Sequence, residues 1–92
     1  MQREGLLHIL WISGAAHNEM PLYHVEFVDY QGGDVTIKTI RGNEHLRSFL
    51  GLELGVLSQA IESALEKLKK ESVANIVDVV LPDDKLARLG LL

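Results

Sequence analysis

LYHVEFVDYQGGDVTIKTIR, residues Leu22 to Arg41, holds two β-rich runs separated by a glycine pair, the pattern of a β-hairpin. Two pairings are compatible with it. A two-residue turn at Gly32-Gly33 sets Phe27 opposite Lys38. A three-residue loop, Gln31-Gly32-Gly33 with Gly33 left-handed, sets Phe27 opposite Ile37 and Glu26 opposite Lys38. A slip of one residue turns every side chain to the other face, so the apolar pattern chooses between them. The three-residue loop sorts the faces better. It puts Val25, Phe27, Val35 and Ile37 on one side, and His24, Glu26, Val28, Tyr30, Thr36, Lys38 and Ile40 on the other.

Upstream, Leu6 to Ile12 alternates as a first strand, with Leu7, Ile9 and Trp11 on one face and Leu6, His8, Leu10 and Ile12 on the other. A loop from Ser13 to Pro21 joins it to the hairpin. Antiparallel pairing then sets Leu7 opposite Phe27, His8 opposite Glu26 and Trp11 opposite Tyr23. Rows follow across three strands: Leu7–Phe27–Ile37 inside, His8–Glu26–Lys38 outside.

Downstream, Gly42-Asn43 ends the meander, with Asn43 as an N-cap and Glu44 in a first helical turn. Leu46, Phe49 and Leu50 form the apolar side of a short helix. A second helix runs from Ser58 to Lys70, burying Leu57, Ile61, Ala64, Leu65 and Leu68. Its last turns carry Lys67, Lys69 and Lys70, which suit the negative end of the helix dipole. The leucine seam from Leu50 to Leu68 would also fit one long helix, but Gly51 and Gly55 favour a break between two. Asn75 to Leu81 reads as a fourth strand stopped by Pro82. Asp83 then caps a helix from Asp84 to Leu89, and Gly90 turns Leu91 back towards Leu86. The place of the fourth strand in the sheet stays open, because a helical hairpin and a single long helix return the chain at opposite ends.

Composition bounds the function. The 92 residues fit a single domain, 1–92, with 47% hydrophobic and 24% charged residues. The absence of cysteine excludes disulfides, thiol nucleophiles and cysteine-held metals, and fits a cytoplasmic location. The opening MQREGLLHILWISGAA ends in small residues, yet Glu4 and His8 interrupt it and it alternates like a strand, so it reads as fold and not as a signal peptide. No apolar run approaches the ~20 residues of a membrane span. A net charge of −4 argues against nucleic acid or anionic lipid as a partner.

The segment Arg47 to Leu65, RSFLGLELGVLSQAIESAL, resembles the helix-turn-helix of DNA-binding regulators. Gly51 takes the small-residue position of the first helix, Leu54-Gly55-Val56 the turn, and Ile61 and Ala64 the inward positions of the second. The resemblance implies a recognition helix presenting Ser58, Gln59, Glu62, Ser63 and Glu66 to a major groove. Two glutamates and no arginine there oppose binding to a polyanion.

Other chemistry finds little support. His8 and His24 share a face beside Glu26, a set able to hold zinc, but a polar sheet face ordinarily carries such residues. His17 lies in a loop and His45 in a helix's first turn, with no HExxH spacing. No serine sits in a G-x-S-x-G elbow, and no glycine-rich loop after a strand cradles phosphate. The residues therefore predict no catalytic or metal site and no cofactor.

The expectation is an α+β domain, β-β-β-α-α-β-α, with helices on one face of a mostly antiparallel sheet. Its inner face is Leu7, Ile9, Trp11, Val25, Phe27, Val35 and Ile37, met by Phe49, Leu50, Ile61, Leu65 and Leu68. Its function is expected to be that of a non-catalytic interaction or regulatory module, acting on itself as a homodimer or on another protein. The alternative is a nucleic-acid-binding regulator using residues 47–65. The expected interface is the outer sheet face, with Leu10, Ile12, Val28, Tyr30 and Ile40 among His8 and His24. Protonating those histidines below about pH 6.5 should weaken a two-fold contact there. In a competing arrangement Leu89, Leu91 and Leu92 fold over this face within one chain.

Overall fold

Alternation along each strand sets which side chains the helices can reach. The computed structural model describes residues 2–13, 20–33 and 35–91, with the backbone alone at Thr36 and Ile37. The 14–19 part of the predicted loop, including His17, and Leu92 lie outside the described residues. Four strands form one antiparallel sheet: β1 Gln2–Ser13, β2 Leu22–Asp29, β3 Val35–Arg41 and β4 Val73–Pro82, in the order β3-β2-β1-β4. The predicted α+β class holds, with helices on one face of the sheet. The fourth strand joins β1, so the twelve-residue β1 lies between two neighbours.

The β1–β2 register is the predicted one: Leu7 faces Phe27, His8 faces Glu26 and Trp11 faces Tyr23. The β2–β3 register is not. Phe27 pairs with Thr36, Glu26 with Ile37, Val25 with Lys38 and Tyr23 with Ile40. The cause is the turn. Asp29 accepts the Gln31 N–H on Oδ1 (2.7 Å), and its carbonyl accepts the Gly32 N–H (3.1 Å). This Asx-stabilised turn pivots on Tyr30-Gln31, with Gly32 and not Gly33 left-handed at φ 79°. It shifts β3 by one residue and inverts its faces.

Val35, expected inside, is therefore 50% exposed, while Ile40, expected outside, is 6% exposed. Ile37 leaves the Phe27 row. Lys38 leaves Glu26 and comes to the helix side, its Nζ 4.7 Å from the centre of the Phe49 ring. An edge strand tolerates this, because the lysine stem packs while its charged head stays in water.

The helices follow. α1 spans Asn43–Ser48 and runs into a wide π-type turn, Phe49–Glu53, closed by Leu54 N–H on the Phe49 carbonyl (3.1 Å). Gly55, at φ 72°, breaks the path before α2, Ser58–Glu71. Two helices form, as the glycines predicted. Leu57 does not join the buried stripe of Ile61, Ala64, Leu65 and Leu68. It lies on extended backbone just before α2 and is 77% exposed. Asn43 does not cap α1 either: Gly42 precedes the helix, and Asn43 Oδ1 accepts the Tyr23 hydroxyl instead (2.6 Å). Burial pushes the Tyr23 phenol pKa up, with the Arg47 guanidinium pulling it the other way.

Past β4, α3 covers Asp83–Arg88, so Asp83 starts the helix and does not cap it from outside. Leu91 N–H bonds the Leu86 carbonyl (2.9 Å) and Gly90 N–H that of Ala87 (3.1 Å), the two bonds of a Schellman ending. Leu86 and Leu91 are buried in the cluster that holds Leu7, Phe27 and Leu50, and Leu89 packs against it. The C-terminal leucines that are described thus belong to the helix side.

Gly5 closes the core from beneath. A Cβ there would stand 2.8 Å from two atoms of the Phe27 ring and collide with the Val28 carbonyl. The end of the ring takes the space where a side chain would otherwise be.

Candidate functional site

With the helices and the described C-terminal leucines on one side, the other side of the sheet is bare among the described residues. Its middle rows are set by register. Leu6 stands opposite Val28, which also pairs with Val35; His8 stands between Glu26 and Asn75; Leu10 stands between His24 and Val73. Of the predicted interface residues, Ile12, Val28 and Tyr30 are exposed, and Leu10, His8 and His24 are half-buried. Ile40 is withdrawn from the set, because the β3 shift buries it under the helices.

Sequence reasoning missed the contribution of β4. Val77 is 60% exposed, and Val80 is also exposed. Between Gly5↔Val79 and Leu7↔Ile76, the single Leu6 of β1 faces two residues of β4, a bulge at Val77-Asp78. Asp78 takes the left-handed conformation at φ 57°, which aspartate tolerates better than valine. The aspartate inside an apolar run was the available signal. Tyr30 locks this bulge from the far side of β1: its hydroxyl accepts the Asp78 N–H (3.0 Å) and donates to Asp78 Oδ1 (3.2 Å).

The polar members of the face are partnered locally. His8 Nδ1 donates to Asn75 Oδ1 (2.6 Å), so β1 and β4 are tied by side chains as well as backbone. His8 and His24 sit in adjacent rows, as expected. His45 is remote from both and donates from Nδ1 to the Arg41 carbonyl (2.9 Å). Among the described residues no three histidine, aspartate or glutamate side chains converge where a metal could be held. At the turn, Asp29 is buried and its carboxylate lies 3.5 Å from Arg3 Nε, which fits a structural role.

The helical corner has the predicted contact: a Cβ on Gly51 would rest 3.6 Å from Ile61 Cδ1, an ordinary packing distance. All five residues of the supposed recognition face, Ser58, Gln59, Glu62, Ser63 and Glu66, are exposed. The corner's arginine is occupied. Arg47 donates from Nε and Nη2 to Glu62 (2.9 and 3.2 Å) and from Nη1 to Glu44 (2.6 Å). Hydrogen bonding to Glu62, then to Glu44, raises the Arg47 pKa; the same bond to Arg47 lowers that of Glu62.

No helix among the described residues is long and apolar enough to cross a membrane. Against protein-family models, curated proteins and solved structures, the chain finds no match.

Proposed function

We propose that this chain is a non-catalytic interaction module that pairs with a second copy of itself through the bare face of the sheet. One observation carries the reading: Leu89 and Leu91, two of the leucines that could have folded over that face, pack on the other side. What remains outside are Ile12, Val28, Tyr30, Val35, Val77 and Val80, all exposed.

The dimensions support a like partner. Four strands about 4.8 Å apart, over roughly eight residues of about 3.3 Å each, give a footprint of roughly 500 Å². Two such faces laid together remove roughly 1,000 Å², the lower bound for a specific interface. Sheets stack in this way about 10 Å apart with side chains interdigitating. The valines supply the apolar part. Glu26, among His8 and His24, supplies charge that a two-fold can set against its opposite. The competing reading, DNA binding through residues 47–65, loses ground because Arg47 already serves Glu44 and Glu62.

Sedimentation equilibrium at micromolar concentration tests the proposal. The wild type should be a dimer and Val28→Lys a monomer of unchanged far-ultraviolet circular dichroism. A monomeric wild type, or a dimer indifferent to Val28→Lys, overturns it.

A further inference from the structure

The two edges of the sheet are finished differently. β4 carries the left-handed Asp78 bulge, locked by Tyr30, and ends in Pro82. Bulges and prolines are the devices that keep an edge from accepting another strand. β3 has neither. Its seven residues pair with β2 in unbroken register, and among the described residues nothing pairs with its other side.

Beside this open edge runs a groove of about 390 Å³ between β3 and the α1 side of the helical layer. Its apolar lining is Ile40 and Phe49 with Leu52 at the rim, and Lys38, Arg41 and His45 also line it. Glu53 also lines it, but turns to Arg88 Nη1 at 3.8 Å. From Val35 to Arg41 there is no acidic residue, on a chain whose net charge is −4. An edge strand against a helical wall, with an apolar trough between, is the geometry that accepts an extended peptide by strand addition.

We infer that β3 receives an extended acidic segment of a partner protein as a fifth strand. Main-chain hydrogen bonds along β3 supply its hold, and alternate side chains read the two sides of the edge. On the helix side, an acidic residue meets Lys38, and an apolar one two places along rests on Phe49 and Leu52. Arg41, whose Nη1 donates to the Met20 carbonyl (3.4 Å), adds a second positive charge at the end of the strand. A second copy of this chain does not suit the edge, because pairing β3 with itself brings Lys38 and Arg41 against like charges with no acid to relieve them. The lysine that deters neutral and basic strands is thus the feature that admits an acidic one. This surface is separate from the bare face and needs no dimer.

The probe is a fluorescein-labelled eight-residue peptide of repeating Glu-Glu-Val-Val, which sets acidic and apolar residues two places apart on each side of the strand, with a Lys-Lys-Val-Val repeat as control and a labelled thymidine octamer as the competing polyanion. Anisotropy should show saturable binding of the acidic peptide alone. Lys38→Glu should weaken it at least about fivefold, and raising the salt towards 1 M, where screening is nearly complete, should weaken it likewise. Amide shifts on the wild-type protein should fall on Val35–Arg41 and α1, a readout that holds even where Lys38→Glu unfolds. Shifts elsewhere, no saturation at millimolar peptide, equal binding of the lysine peptide, or tighter binding of the octamer would each overturn the inference. Peptide binding is measured in Val28→Lys as well, so that loss of the dimer and an empty β3 edge are read separately.

Discussion

On its covered side the sheet presents Leu7, Ile9, Val25 and Phe27 to Leu50, Ile61, Leu65 and Leu68, and all eight are buried. On its bare side Val28, Val77 and Val80 stand near His24, Glu26 and Asn75, and the three valines are exposed. The covered side uses long leucines and a phenylalanine, which span the gap to a helix and leave no room for polar atoms. The apolar residues that the bare side exposes are mostly short and β-branched, which satisfy the pleat without requiring a lid. One sheet therefore has a face that cannot do without its layer of helices and a face that can stand in water. A mixed face of this kind suits a contact that forms and parts.

The contrast is open to attack from its strongest side first. Phe27→Ala should cost about 3–5 kcal/mol in denaturant melts, because a large ring leaves the middle of the core, while Val28→Ala should cost under about 1 kcal/mol in the monomer. A reversed ranking would exchange the two faces. Gly5→Ala comes next, at about 1–3 kcal/mol, since the new methyl meets the Val28 backbone carbonyl and the Phe27 ring together. A neutral Gly5→Ala would mean that Phe27 does not lie over β1.

The helical layer is tested more gently. Gly55→Ala should cost about 1–2 kcal/mol for the left-handed backbone, whereas Gly51→Ala should be neutral or stabilise by up to about 1 kcal/mol. A rise in melting temperature for Gly55→Ala would join the two helices into one. The smallest effect belongs to Arg47–Glu62. Because the folded Glu62 pKa is lowered, its stabilisation is present above the ordinary glutamate range and is lost as pH falls through the lowered folded value. Glu62→Gln should lower the melting temperature slightly near neutrality and leave it unchanged in acid, so that the acid limb of melting temperature against pH flattens slightly.

Legibility in the sequence varied with how much each segment depends on its neighbours. β1 and β2 alternate cleanly, so one register aligned apolar with apolar and His8 with Glu26 together. β3, VTIKTIR, has valine or isoleucine available to either face, and its register was decided by the Asp29 side chain, held near Arg3 in the third dimension. The glycine pair drew the reading one step too far along. Leu57 fitted the heptad spacing but sits before the helix that would have turned it inward. Six of the seven interface residues expected from sequence do lie on the bare face; Ile40 fell with the β3 register. Val77 and Val80 were out of reach, because the place of β4 depends on where the helices deliver it.

The strand order β3-β2-β1-β4 also has a consequence in time. The meander closes through short connections, whereas β4 meets β1 only after the helices. Closing a loop of roughly 60 residues in place of about 8 costs ~2 kcal/mol more by the logarithmic scaling of loop entropy. The meander is therefore able to form first, and β1 waits with one side unpaired until Val73–Pro82 arrive. During that wait, on the ribosome or in refolding, the strand that later becomes the most enclosed is the one most open to a stranger. A fragment ending at Ser72 should accordingly scatter light as aggregates under conditions in which the whole chain refolds to a clear solution.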